Sequence, residues 1–148
     1  MTAFGELRSQ LAALLTYQKN WDSYDADPPN ALVMERMRTI LNEMEVLDIH
    51  ASRVVASSQS GAAISWSGEF GAFNGSRYAH IECCNDGSVT AVASDHKLPA
   101  NELRVWWITE FTNPEGEAGY SRPGEGELQL TLAESLEHIR CFIWANYE

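Results

Sequence analysis

The spacing of apolar residues changes along this 148-residue sequence, and that change limits the fold more than any other feature. Up to Asp48 the apolar residues recur every three or four positions, as on one face of a helix. From Arg53 to Phe111 they largely alternate with polar residues, as in strands with one buried face. A helical pattern returns at Thr131. Separate runs of helix and strand are typical of α+β folds.

We therefore predict one α+β domain over residues 1–148, since a chain of this length can bury a core without disulfides. Two N-terminal helices come first, at residues 4–18 and about 31–47, with Thr2 and Asn30 as their N-caps. An antiparallel sheet of four to five strands follows, and a C-terminal helix, which Thr131 and Glu134 open as a capping box, packs on the sheet. The strand candidates are residues 53–57, 62–66, 77–84, 88–94 and 103–111.

Two connections carry sequence signals of their own. Asp86-Gly87 lies between two strand patterns and predicts a two-residue hairpin turn, which would place Ile81 opposite Val92. Residues 113–127 hold four glycines, two prolines and four glutamates. A segment of this length and composition predicts a mobile acidic loop.

The joint between the first two helices, residues 20–30, is the most distinctive stretch of the sequence. Asparagines at both ends suit the end of one helix and the start of the next. Two prolines hold the approach extended, and the aromatic rings can pack against the helices. An aspartate can close a turn by accepting backbone N–H groups. The residues predicted to build this structural motif are Asn20, Trp21, Asp22, Tyr24, Pro28, Pro29 and Asn30.

The pattern Asn-Trp-Asp-x-Tyr-x-Ala-x-Pro-Pro at residues 20–29 resembles a motif of a family of small uncharacterised bacterial proteins. Segments similar to residues 61–66 and to a strand ending in Asp86-Gly87 accompany the motif there, so the likeness covers residues 14–92. Ser23 and Asp25 depart from the pattern, where small residues or glycine are expected. The resemblance implies a common fold and a bacterial or phage context, and it implies no activity.

Acidic residues outnumber basic ones by 21 to 10, which gives a net charge of −11 and a pI near 4.7. Such a charge repels nucleic acid and anionic membranes and attracts basic surfaces. No apolar run reaches the roughly 20 residues of a membrane span, and no signal peptide is visible. Three cysteines without framework spacing fit a reducing compartment. We expect a cytoplasmic protein that binds neither membranes nor nucleic acid directly.

The sequence predicts no catalytic residue, cofactor or metal ion. Asp22, Asp25 and Asp27 could hold a divalent cation, but an EF-hand counted from Asp22 lacks the glycine and the final glutamate. Cys84 shares a strand face with His80, but no third group is evident that would orient the histidine. A metal-dependent enzyme built on the three aspartates remains an alternative.

Several features favour protein binding. Trp106 and Trp107 are adjacent in a strand and face opposite ways, so one ring can be exposed as a hot spot. The last helix carries more apolar surface than one core contact needs. The candidate partner-binding residues are Trp106, Glu115, Glu117, Glu125, Glu127 and Trp144.

The leading hypothesis is a non-enzymatic acidic protein that inhibits or neutralises a basic protein partner, as immunity proteins, antitoxins and anti-defence proteins do. Another alternative is a self-associating structural module. Such a homodimer would use the sheet face that bears Trp106 or the side of the last helix that bears Cys141.

Overall fold

The computed structural model describes residues 3–18, 21, 26–67, 77–95, 104–111 and 127–144, and within them three α-helices accompany one six-stranded mixed sheet. The chain is therefore α+β, as its sequence predicts. The helices are Phe4–Ala13 (α1), Ala31–Leu47 (α2) and Leu132–Ile143 (α3). The strands are Arg53–Ser57 (β1), Gly61–Ser67 (β2), Arg77–Cys84 (β3), Val89–Asp95 (β4), Arg104–Ile108 (β5) and Gln129–Leu130 (β6).

Both longer helices begin at the caps that the sequence predicts. The Asn30 side chain accepts the N–H of Val33 at 2.9 Å and opens α2. Thr131 and Glu134 form the capping box of α3. The Glu110 carboxylate also accepts the N–H of Leu132, at 2.9 and 3.1 Å, so a second acidic group satisfies this helix start.

The first helix is shorter than predicted. α1 ends at Ala13 and is followed by a 3₁₀ helix at Leu14–Thr16, which ends at Tyr17, where the backbone is extended. Its N-cap is Ala3, which makes no side-chain capping bond, whereas the predicted cap, Thr2, lies outside the described residues.

The observed sheet topology differs from the predicted one. Its order is β1-β2-β3-β4-β5-β6, and the first five strands pair antiparallel with their sequence neighbours. β6 pairs parallel with β5, which makes the sheet mixed rather than antiparallel. A two-residue strand is too short to show an alternating pattern, so it could not be found by periodicity. Apart from Glu127, the predicted acidic loop 113–127 lies outside the described residues.

The β3–β4 hairpin has a three-residue turn instead of the predicted two-residue turn. Asn85, Asp86 and Gly87 form the turn, and the Cys84 N–H donates to the Ser88 carbonyl at 2.9 Å. Gly87 has φ 98°, the left-handed conformation that ends such turns. Including Asn85 in the turn shifts the register by one residue, so that Ile81 faces Ala91, not Val92.

The two faces of the sheet differ in what covers them. One face packs under the helices and supplies buried residues to a single core cluster, including Ile64, Ile81 and Trp106. The residues that alternate with these point to the other side, and none of those described joins the core cluster. We call this side the second face. It comprises Arg53, Val55, Ser57, Ala63, Ser65, Tyr78, His80, Glu82, Cys84, Thr90, Val92, Val105 and Trp107.

The outer edge of β1 meets α1. The Gln10 side-chain oxygen accepts the backbone N–H of Val54 at 2.8 Å. A side chain of α1 thus accepts a hydrogen bond from a backbone N–H group of the edge strand.

Candidate functional site

The described end of the distinctive sequence motif, residues 26–30, is bonded to the two hairpin turns of the sheet. The Asp27 N–H donates to Ser60 Oγ at 2.8 Å. The Asn30 N–H donates to Asn85 Oδ1 at 2.9 Å, and Asn85 Nδ2 donates to the Pro28 carbonyl at 2.9 Å. These bonds join the start of α2 to the β1–β2 and β3–β4 turns.

The two turns also contact each other. The Asn85 N–H donates to the Ser60 carbonyl at 2.7 Å, and Ser60 has φ 67°. Three connecting segments therefore contact one another at this end of the sheet: residues 26–30, the β1–β2 turn and the β3–β4 turn. Sequence patterns did not indicate this cluster, because its bonds join residues separated by up to 57 positions.

The rest of the motif is described only in part. Trp21 is partly buried and its ring packs edge-on against Tyr17, with centroids 5.1 Å apart. Its indole N–H is buried, and no acceptor for it lies in the described part of the chain. Asn20, Asp22, Tyr24 and Asp25 lie outside the described residues.

Only Asp27 of the three motif aspartates is described, and it is exposed. Across the described segments, no group of three or more His, Cys, Asp or Glu side chains has the geometry to hold a metal ion. The aspartate site stays an untested hypothesis.

Trp106 is not a surface residue, so its prediction as a partner contact is wrong. It is only 1% exposed, and its indole N–H donates to Ser135 Oγ at 2.8 Å. Its ring packs edge-on against His138 of α3, with centroids 5.1 Å apart. The alternation of β5 turns Trp106 toward the helices and turns its neighbour Trp107 away from them.

Trp107 takes the place on the surface that was predicted for Trp106. It lies on the second face, is partly exposed, and donates its indole N–H to the Glu127 carboxylate at 2.5 Å. Val105, on the same face, is 50% exposed. Glu127 therefore lies beside exposed apolar surface, while Glu115, Glu117 and Glu125 lie outside the described residues.

Trp144 belongs to a different part of the molecule. It follows α3, packs against the core cluster and is partly exposed. With Asp48, Ile49, His50 and Arg140 it lines a cavity of about 180 Å³. The structure thus separates Trp144 from the second face.

Burial shifts the pKa values of Tyr78 and His80 on the second face. Burial lowers the pKa of His80, against the opposing effect of Glu82. Burial also raises the pKa of Tyr78, whose ring lies edge-on to His80 with centroids 5.6 Å apart. The Glu82 carboxylate accepts the Ser57 hydroxyl. At neutral pH the His80 imidazole and the Tyr78 phenol are therefore both uncharged.

The two strand thiols are poor nucleophiles. Cys83 is buried in the core, as its strand position predicts, and burial raises its pKa to about 12. Burial also raises the pKa of Cys84 to about 11. Because the thiolate is the reactive form, both groups are largely inert at neutral pH.

Comparison of the chain with protein-family models, curated proteins and solved structures found no match. Within the described segments, no helix combines the length and the hydropathy needed to cross a bilayer. The second face is the candidate functional site, because half-exposed Val105 lies on it with partly exposed Tyr78, Val92 and Trp107, although Ser57, Ala63 and Ser65 of the same face are buried.

Proposed function

We propose that this chain is a non-enzymatic acidic binding protein of bacterial or phage origin, acting in the cytoplasm, that inhibits or neutralises a basic protein partner. Immunity proteins, antitoxins and anti-defence proteins belong to this class. The second face is the observation that carries the proposal. It is also the surface that we propose the partner contacts.

The composition of the second face supports a binding role. Val105 is half exposed, and Tyr78, Val92 and Trp107 are partly exposed beside it or across neighbouring strands. Aromatic residues are enriched at protein interfaces, where truncating a single side chain can weaken binding by about 2 kcal/mol or more. Strand residues are already ordered, so binding loses little conformational entropy there.

The charge of the chain supports a basic partner. A net charge of −11 accelerates encounter with a positive surface and competes for sites that bind phosphate groups. The second face itself holds one acidic residue, Glu82, and one basic residue, Arg53, and Glu127 lies at its margin, so the attraction comes from the chain as a whole.

Two valine substitutions test the proposal as a matched pair. Val105 is 50% exposed on the second face, and Val46 is 78% exposed on α2. Val105→Arg and Val46→Arg change the net charge equally, but only the first alters the second face. The wild-type protein and both variants serve as baits for affinity capture from a bacterial lysate, with melting temperatures measured to confirm folding.

We expect one dominant basic protein with the wild type and with Val46→Arg, and at least a tenfold loss of that protein with Val105→Arg. Purified partner and isothermal titration then give the affinities. Equal recovery by all three baits would contradict the assignment of the face. Recovery of no partner, together with a homodimer that Val105→Arg dissociates, would favour the self-associating module instead.

A further inference from the structure

A cavity of about 150 Å³ lies between α1 and α2, and we call it the α1–α2 cavity. Leu11 and Met34 are buried members of the core cluster and form its floor. The exposed residue Ala12 and Leu15, which is 64% exposed, complete its apolar lining. The apolar side chains make this cavity suitable for the apolar part of a small ligand.

Two arginines line the same cavity, Arg8 from α1 and Arg38 from α2. Arg8 Nη2 donates to Asn42 Oδ1 at 2.9 Å and to Glu45 Oε1 at 3.3 Å, so both described bonds of Arg8 use one nitrogen. Its Nε and Nη1 have no acceptor within the described segments. Arg38 is exposed, and among the described residues no side chain or carbonyl accepts a hydrogen bond from it. The cavity thus has two guanidinium groups with unused N–H donors.

The two guanidinium groups favour an anionic ligand. Glu45 offsets part of the charge of Arg8, whereas no acidic residue in the described ranges forms an ion pair with Arg38. A guanidinium binds a carboxylate through two parallel N–H bonds, which are stronger than bonds between neutral groups. An apolar cavity of about 150 Å³ is large enough for benzene, so an apolar tail of about six carbon atoms would fill this one.

We infer that the α1–α2 cavity binds a small monocarboxylic acid, with its carboxylate bonded to Arg38 and Arg8 and its apolar tail against Leu11 and Met34. The volume accommodates one such tail, so the ligand is a free small acid and not an extended peptide. α1 and α2 pack on the side of the sheet opposite the second face. The site therefore goes beyond the proposed function and does not depend on it.

Four small probes test the inference on the full chain. Hexanoate supplies both the carboxylate and the tail, 1-hexanol supplies the tail alone, acetate supplies the charge alone, and acetylated alanyl-alanyl-leucine supplies a peptide carboxylate. Each is titrated into protein labelled with ¹³C at the methionine methyl groups, of which the chain has four. The Met34 signal is assigned from the spectrum of Met34→Leu, and the buried Met44, which does not line the cavity, is the internal reference.

We expect a saturable shift of the Met34 signal with hexanoate and no saturable shift with acetate. Binding of 1-hexanol should be weaker than that of hexanoate by about tenfold or more, because it cannot form the charged hydrogen bonds. The peptide should also bind more weakly than hexanoate. The Met44 signal should stay in place throughout.

Arg38→Gln and Arg104→Gln test the charge as a matched pair. Each removes one positive charge from an exposed arginine, but Arg104 lies on β5, toward the other edge of the sheet from β1, against which α1 packs. Arg38→Gln should weaken hexanoate binding by about tenfold, while Arg104→Gln should bind as the wild type does. No described hydrogen bond is lost in Arg38→Gln, so its melting temperature should stay close to that of the wild type.

Ala12→Leu and Ala13→Leu test the place where the tail binds. Both alanines are exposed near the end of α1, but only Ala12 lines the cavity. A leucine at position 12 would occupy part of the space, so we expect about tenfold weaker hexanoate binding in that variant and none of this loss in Ala13→Leu. Melting temperatures show whether both variants remain folded.

Three results would overturn the inferred site. They are the absence of a saturable Met34 shift with hexanoate, equal affinity for hexanoate and 1-hexanol, and unchanged hexanoate affinity in Arg38→Gln. Tighter binding of the peptide than of hexanoate would overturn the assignment to a free acid. The Val105-dependent capture of a protein partner is a separate measurement, so either proposal can fail without the other.

Discussion

Asn30 and Asn85, 55 residues apart, bond each other through both backbone and side chain. Asn85 Oδ1 accepts the Asn30 N–H at 2.9 Å, and Asn30 Nδ2 donates to the Asn85 carbonyl at 3.1 Å. The Asn30 side-chain oxygen meanwhile caps α2 through Val33. One asparagine thus starts the long helix and ties it to the β3–β4 turn.

Replacing either asparagine should destabilise the protein, because each side chain bonds the backbone of the other residue. We expect Asn30→Ala and Asn85→Ala each to lower the free energy of unfolding by about 1–2 kcal/mol. The double variant should lose about 0.5–1 kcal/mol less than the sum, because the two changes break different bonds of one junction and the loss of either bond weakens the other. Urea unfolding measures this cycle. Asn42→Ala is the control, since exposed Asn42 lies on α2 and accepts a bond from Arg8 at 2.9 Å. Strict additivity of the Asn30 and Asn85 changes would contradict the coupling.

The two buried tryptophans of the helix face should respond differently to phenylalanine. Trp66 and Trp106 are each 1% exposed, but among the described residues an acceptor for the indole N–H is found only for Trp106, namely Ser135. Trp106→Phe loses that bond, whereas Trp66→Phe removes a buried donor that no described residue satisfies. The cost of Trp106→Phe should exceed that of Trp66→Phe by about 1–3 kcal/mol in chemical denaturation. Equal costs would show that Trp66 does have a partner.

Two glycines should give opposite results when changed to alanine. A Cβ on Gly61 would lie 2.0 Å from the Cys83 carbonyl oxygen and 2.9 Å from the Cys84 Cα, both backbone atoms. Gly61→Ala should therefore cost about 2–4 kcal/mol. A Cβ on Gly5 in α1 meets nothing within 4 Å, so Gly5→Ala should stabilise by about 0.5 kcal/mol. Thermal unfolding of both variants checks the contrast, and a tolerated Gly61→Ala would refute the close strand contact.

His80 should make the protein less stable in mild acid. Burial depresses its pKa in the folded state, below the ordinary value of 6.5, so the unfolded chain binds this proton more readily. The contribution is complete above pH 6.5 and is lost as the pH falls toward the depressed pKa. Melting temperatures at pH 8 and pH 5 should differ less in His80→Gln than in the wild type. An unchanged difference would show that His80 does not titrate in this range.

Only one of the three thiols should react quickly with a disulfide reagent. Cys141 is exposed, whereas the pKa values of Cys83 and Cys84 are raised to about 12 and about 11. At pH 8 we expect one rapid equivalent that disappears in Cys141→Ser, and two more after denaturation. A second rapid equivalent in the folded protein would mean that the environment of Cys84 is more polar than the structure indicates.

Local signals predicted local structure well. The α2 bounds, the Asn30 cap and the Thr131–Glu134 box were all expected, since each rests on residues within one or two turns of helix. The strand β3 was predicted at its observed bounds by simple alternation. The α+β class followed from the order of these patterns.

Features that depend on distant residues were not predictable. The two hydrogen bonds between Asn30 and Asn85 join polar residues that belong to no periodic pattern. The β3–β4 register depends on whether Asn85 belongs to the turn. The pair Asp86-Gly87 is compatible with both a two-residue and a three-residue turn, so it could not decide the register. Alternation placed Trp106 and Trp107 on opposite faces but could not say which face the helices cover. The pairing of Glu127 with Trp107 likewise needed the parallel strand β6.

The contact between Gln10 and Val54 has a consequence for how copies of this protein meet. An edge strand with free amide groups is a template on which another chain can add a strand and begin to aggregate. The backbone N–H of Val54 already donates to the side chain of Gln10 in α1, which is 44 residues away in sequence. Loss of α1, by truncation or local unfolding, would expose that N–H group to other chains. The first helix therefore protects this part of the sheet edge from pairing with another chain, in addition to completing the core.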